Sequence, residues 1–325
     1  MHIALAVNHA GQQVPIDDLA RFARRAEALG FDALLSGDHI VLPLEDQYDH
    51  PYSPDGRFGI DTHQPQGHLI ESMTILGYLA GITDRIALGT SVMVLPYRNP
   101  VIAAKCWASL DVMSKGRAIC GLGVGWSRWA FEAIGIPFED RGAVTDEAIE
   151  VMRTLWSQAA PAFNGRFTTF DGIGFLPKPI QDPLPIWIGG QSRAAARRAA
   201  RYAQCWHATR ATPEQIAALI PEFRQQVRAA GREPGEVMIS LKRRLHLTDL
   251  GLDPGPDPFL PEEVVGTIDD VIADARRCRE LGIEQLTYDF RTFEPDEQIA
   301  VIERLGEYLI PAVGSTSFAN PRTSA

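Results

Sequence analysis

One pattern constrains this chain more than any other: a short apolar run followed by a segment of helical periodicity, repeated along nearly the whole length. Residues 3–7 are the first apolar run. Ile16, Leu19, Phe22, Ala26 and Leu29 then recur at helical spacing, and Gly30 supplies the stop. Further runs occupy residues 32–37, 86–94, 117–123, 185–189, 205–208, 237–247 and 284–288, each followed by a helical segment. Parallel strands need crossover connections, and helices supply them, so eight such units predict an α/β fold. In 325 residues the expected form is a (β/α)8 TIM barrel with rim insertions, and an eight-stranded doubly wound sheet is the competing architecture. No composition break or linker divides the chain, which favours the closed form. The expected single domain covers residues 1–313, with insertions at about 39–68, 161–180 and 248–262 and a flexible tail at 314–325. Within the second insertion, FNGRFTTFDG alternates aromatic and polar residues around Asn164-Gly165 and reads as a β-hairpin on the rim.

Charge and cysteine usage narrow the function classes. With 41 acidic against 31 basic residues the formal net charge is -10, which argues against a broad grip on nucleic acid or anionic lipid. The first residues run straight into a strand without a basic leader, and no apolar run is long enough to span a bilayer, so a cytoplasmic location is expected. Cys106, Cys120, Cys205 and Cys278 are widely separated among apolar neighbours, as free buried thiols are.

In such a barrel, chemistry collects at the C-terminal ends of the strands. Asn8 and His9 stand there after the first strand, Asp38 and His39 after the second, Thr90 and Ser91 in the third, and His207 in the sixth. Lys242, Arg243 and Arg244 lie in the seventh. Asp38-His39 pairs a carboxylate with an imidazole able to move a proton near neutral pH, though both also suit loop hydrogen bonding. CGLGVGW, residues 120–126, fails as a dinucleotide fingerprint because Trp126 replaces the third glycine. Gly121, Gly123 and Gly125 suit either close approach to a flat ring or tight packing. IWIGGQS ends the fifth strand at Gly189 and Gly190 and opens a helix, a cradle for phosphate or a bare turn capped by Ser192. Arg193 could add charge there, and Arg197, Arg198 and Arg201 read as a solvated face. His63, His68 and Glu71 match no metal-ligand spacing, and neither a GxSxG elbow nor a recognisable Cys/His arrangement is present. Tyr48, Tyr52, Phe58, Trp126 and Trp129 are loop aromatics that suit a pocket lining or the pinning of insertions.

Five segments then carry a resemblance: AEALGFDALLSGDHI (26–40), TDRIALGTSVMVLPYRNPVIAAK (83–105), LDVMSKGRAICGLGVGW (110–126), FEAIGIPFEDRG (131–142) and PKPIQDPLPIWIGGQSRAAARRAARYAQCWH (177–207). In order and spacing they resemble the bacterial luciferase-like monooxygenase family. Beyond His207 only the βα rhythm is shared. The nearest likeness is to the branch using the deazaflavin coenzyme F420, as distinct from branches taking reduced FMN from a partner reductase. The resemblance implies a cofactor ring across the C-terminal mouth, with hydride passing from reduced F420 to an organic substrate. The alternatives are an FMNH2-dependent two-component monooxygenase and, from another class, a catalytically silent flavin-binding protein; a metal-dependent barrel hydrolase is a further rival. By position, His39 matches the proton-handling histidine, and Asp38, Ser91, Val92, Gly123, Gly189, Gly190, Gln191 and Ser192 match cofactor-binding positions, with no metal site. Ser91-Val92 matches a non-prolyl cis peptide. Gly123 falls where luciferase has a reactive cysteine, and Glu132 lies near an acidic catalytic position of the deazaflavin sugar dehydrogenases without a secure match. The pocket is expected to be roofed by residues 38–67 and 163–179. Expected partners are a small organic substrate, a separate reductase and a second copy in a homodimer.

Overall fold

The strands are buried on both faces along nearly their whole length, as barrel strands covered by helices are, whereas each helix buries one face with period 3.6. The computed structural model describes residues 1–7, 10, 11, 15–42, 68–253, 255, 259–292 and 294–314, with backbone only at Ala10, Gly11 and His68. The strands are β1 (His2–Val7), β2 (Ala33–Ser36), β3 (Ala87–Thr90), β4 (Ala118–Gly123), β5 (Ile186–Gly189), β6 (Cys205–Thr209), β7 (Met238–Leu247) and β8 (Gln285–Phe290). All pair in parallel, in the order β5-β6-β7-β8-β1-β2-β3-β4. The ring closes where Ile186, Trp187 and Ile188 of β5 lie opposite Cys120, Gly121 and Leu122 of β4. A doubly wound sheet keeps two open edges, so this pairing excludes it.

Helices α1 (Ile16–Leu29), α2 (Ser72–Ile82), α3 (Pro100–Met113), α4 (Arg141–Ser157), α5 (Arg193–Tyr202), α6 (Pro213–Ala229), α7 (Ile268–Glu280) and α8 (Pro295–Arg304) wrap the barrel. Helix α1 buries Leu19, Phe22, Ala23 and Ala26 and stops at Gly30, whose φ of 87° lets its N–H turn back to the last carbonyls. Helix α6 starts at a capping box in which Thr212 and Gln215 exchange hydrogen bonds. No helix among the described residues is long and apolar enough to cross a membrane.

Outward-facing strand residues such as Leu5, Leu34, Leu88, Leu122, Ile188, Leu241 and Leu286 pack under the helices. Inward, Ala4, Ala33, Leu35, Ala87, Ile119, Trp187 and Cys205, with Met238 against them, fill the half of the lumen near the strand starts. One step further along lie His207, Ser240, Gln285 and Thr287, polar and buried. The barrel is a packed core with a polar layer on top, and the mouth opens above it.

The second insertion is the expected hairpin, Phe163 opposite Phe170 and Asn164 opposite Thr169. Its tip is held by one carboxylate, since Glu147 of α4 accepts the amides of Arg166, Phe167 and Thr168 at 2.7–2.8 Å. The hairpin joins the end of α4 to the start of β5 and runs back along the outside of α4, so that its tip, where Arg166 reaches Asp140, stands at the end of that helix nearer the mouth. Most of the other expected roof, residues 43–67, lies outside the described residues, as does the tail beyond residue 314. Arg198 is corrected: it is largely buried, with Nε 2.5 Å from Asp146 of α4. Arg201 pairs with Glu150 at 2.7 Å, so these arginines tie α5 to α4.

Candidate active site at the barrel mouth

Asp38 follows β2 and turns away from the lumen. Four donors of the chain reach its two oxygens: Arg98 Nη1 on Oδ2 at 2.7 Å, Arg98 Nη2 on Oδ1 at 2.8 Å, the Val94 amide on Oδ2 at 2.8 Å and Ser72 Oγ on Oδ1 at 3.1 Å. A carboxylate has about four lone-pair sites, and these donors make Asp38 a tether that joins β2 to α2 and the turn after β3. Burial alone would push the Arg98 guanidinium down, and Asp38 and Glu71 more than reverse it, so Arg98 stays charged. His39, the next residue, is half-buried.

Beyond β3 the Ser91-Val92 peptide is cis, as the resemblance implied. Val92 decides what the glycines do. A Cβ on Gly123 would lie 2.6 Å from Val92 Cγ2, and one on Gly189 would lie 2.8 Å from Val92 Cγ1. These two glycines exist to seat the Val92 isopropyl group between β4 and β5. The space beside Gly121 and Gly125 is equally taken, by the Thr90 carbonyl oxygen at 1.8 Å and by Val94 and Phe131. Packing therefore accounts for the β4 glycines, and the half-buried Val92 covers Gly123 and Gly189.

Below Ser91 the polar layer is continuous. Ser91 Oγ lies 2.8 Å from His207 Nε2, and His207 Nδ1 lies 2.7 Å from Ser240 Oγ, which donates to Gln285 Oε1. Burial pushes the His207 imidazole down to about 3, with the Lys242 charge acting the same way, so the ring is neutral. Gly190 continues from β5 with φ of 107°, hydrogen-bonded through its N–H to the His207 carbonyl and through its carbonyl to Trp206 Nε1. Gln191 follows, half-buried, and the exposed Ser192 caps α5 through the Ala195 amide at 3.1 Å. The positive end of α5 thus sits at the rim beside Gly189 and Gly190. Arg193 leans away to Glu222.

The basic run in β7 divides by strand alternation. Arg243 points outward to Asp274 of α7, whereas Lys242 and Arg244 face the lumen. Lys242 pairs with Asp289 of β8 at 3.1 Å. Burial works against the charged form of Asp289, but Lys242, Arg244 and Arg210 together hold its carboxyl below the usual range. Three cations around one carboxylate leave this side of the mouth positive, although Arg244 also has Glu263 at 3.9 Å.

Glu132 is exposed on the short helix Arg128–Ala133. Glu71 caps α2 through the Thr74 amide and pairs with Arg98. No group of three metal-ligating side chains occurs among the described residues. Asn8, His9, His63, Tyr48, Tyr52, Phe58 and the His68 side chain lie outside them. Trp126 and Trp129 pack edge to face at 6.4 Å. All four cysteines are free, with Cys106 only half-buried. Sequence reasoning missed Arg98, whose only signal was a charge in the turn after the third run, and missed Ser240 and Gln285, which strand register alone brings beside His207.

Comparison with known proteins agrees with this architecture. The chain is 34% identical over 220 residues to an uncharacterized protein of Mycobacterium tuberculosis, which covers 67% of this chain and 74% of that one. An F420-dependent glucose-6-phosphate dehydrogenase of Kineococcus radiotolerans is 27% identical over 299 residues, 87% of this chain and 82% of the other. Among solved structures, an F420-dependent secondary alcohol dehydrogenase in complex with an F420-acetone adduct superposes with a TM-score of 0.77 at 21% identity, over 97% of this chain and 99% of that one. The family model described as luciferase-like monooxygenase matches residues 1–250, from β1 through β7 and so across every strand end that builds the Ser91 and Val92 floor. The chain belongs to the luciferase-like monooxygenase family and is an oxidoreductase of that class.

Proposed function

We propose that this chain is an F420-dependent oxidoreductase in which His39 handles the proton while hydride passes from the reduced deazaflavin to a small organic acceptor. The observation that carries the reading is the floor of the mouth, where Ser91 and Val92 are pinned between β4 and β5 next to the end of β2. It is supported by the F420-dependent activities in the names of relatives that align over most of the chain.

When bound, the reduced deazaflavin supplies the hydride. The chain's own residues do the rest. Val92 offers an apolar surface for a flat ring, Ser91 a hydroxyl at its edge, and Gly189, Gly190, Gln191 and Ser192, at the positive end of α5, a seat for an anionic arm. Asp38 acts through position: tied to Arg98, Ser72 and Val94, it fixes the backbone that carries His39. Lys242, Arg244 and Arg210 suit an anionic group on the cofactor or the acceptor.

Titration of the purified protein with oxidised F420 and, separately, FMN, followed by absorbance and fluorescence, tests the cofactor. Binding of FMN alone would replace this reading with the two-component monooxygenase, supplied by a separate reductase. His39→Ala is expected to keep F420 affinity and lose about 10²–10⁴ in turnover, the usual scale of proton-transfer catalysis. Unchanged turnover would leave the silent flavin-binding reading standing.

Pairing of two copies is supported by one helical face. Ile102, Cys106, Ser109, Val112 and Met113 line the outside of α3, with Ile102 60% and Met113 59% exposed, and Tyr78 of α2 is exposed as well. Ile102→Glu is expected to shift the mass measured by light scattering from dimer to monomer. A wild-type monomer at micromolar concentration would overturn the pairing.

A further inference from the structure

We propose that His207 is a positioning residue that makes Ser91 a one-way hydrogen-bond acceptor at the floor of the mouth, where an N–H or O–H of the bound ligand docks. The proposal rests on the reading of the mouth as the cofactor and substrate site.

Its direction follows from donor bookkeeping that starts at the far end. Gln285 Nε2 lies 2.6 Å from the Leu286 carbonyl, which can only accept, so the amide nitrogen is on that side and Oε1 faces Ser240. Ser240 has one proton and gives it to Oε1. Its oxygen must then accept from His207 Nδ1 at 2.7 Å, which places the imidazole proton on Nδ1. A neutral imidazole with Nδ1–H has a bare lone pair on Nε2, 2.8 Å from Ser91 Oγ, so Ser91 gives its proton inward. The half-buried hydroxyl is left with lone pairs facing the mouth.

Packing holds the imidazole in this state. The Trp187 ring lies 5.5 Å from it, the Ser91 amide is fixed by the Ser36 carbonyl at 2.8 Å, and the charge of Lys242 opposes protonation. Three buried polar side chains, His207 of β6, Ser240 of β7 and Gln285 of β8, carry a desolvation cost that each directed bond offsets. Every bond in the series is satisfied within the protein except at Ser91, and that opening faces the ligand side.

The test uses the full chain labelled with ¹⁵N-histidine. Long-range proton–nitrogen spectra are expected to show His207 protonated on Nδ1 and unchanged between about pH 5 and about pH 9. In Ser240→Ala the proton is expected on Nε2, donating to Ser91, whereas Ser240→Thr keeps the wild-type pattern. F420 fluorescence titration is expected to weaken about three- to tenfold in Ser91→Ala and in Ser240→Ala, the scale of one hydrogen bond, and to recover in Ser240→Thr. An Nε2–H or charged imidazole in the wild type overturns the relay. A Ser91→Ala protein with wild-type F420 affinity overturns the docking role. A wild-type protein that binds no F420 in either redox state defeats the proposed function instead, and the nitrogen spectrum still decides the relay.

Discussion

Replacing Arg98 with methionine is expected to destabilise the chain by about 3–5 kcal/mol, the cost of stripping a buried carboxylate of its cation. Asp38 has a side chain only 1% exposed and Arg98 one only 14% exposed, so water cannot take over the lost bonds. The pair is bidentate, the geometry in which guanidinium and carboxylate bind best. Urea denaturation of wild type and Arg98→Met gives the difference directly, provided the unfolding slope is unchanged. The double variant Arg98→Met with Asp38→Leu should recover much of the loss, because it removes the orphaned charge along with its partner. A single variant within about 1 kcal/mol of wild type would mean that the tether holds nothing, and the account of how His39 is positioned would fail with it.

The second large effect concerns the seat of Val92. Gly123→Ala forces a methyl group to within 2.6 Å of Val92 Cγ2, and overpacking of this kind costs about 1–3 kcal/mol. Val92→Ala vacates that space. Combined with Gly123→Ala it is expected to restore stability close to that of Val92→Ala alone, so the two changes should couple strongly in a double-mutant cycle. Thermal denaturation measures the coupling, and F420 affinity in the rescued protein reads whether the apolar floor matters for the ligand. Additive effects would show that the glycines answer to something other than Val92.

Much of the fold could be read from the sequence because continuous apolar runs and period-3.6 patterns are local properties. The run at 117–123 became β4 and the run at 205–208 became β6, each displaced by a residue at most. The run at 86–94 was harder, since β3 ends at Thr90 and the chain passes through the Ser91-Val92 cis bond before Met93–Val94 pairs beside β4. What local pattern does not carry is who meets whom. Asp38 and Arg98 are far apart in sequence, and nothing around either names the other. His207, Ser240 and Gln285 share a layer only because three strands have a particular stagger.

The apolar side chains from Ala4 to Trp187 that stopper the lumen have a kinetic consequence. Nothing can traverse the molecule from end to end, so both reactants share one doorway. Whichever of them rests against Ser91 and Val92 must arrive before its companion and depart after it, and steady-state kinetics should therefore show a compulsory order of addition and release.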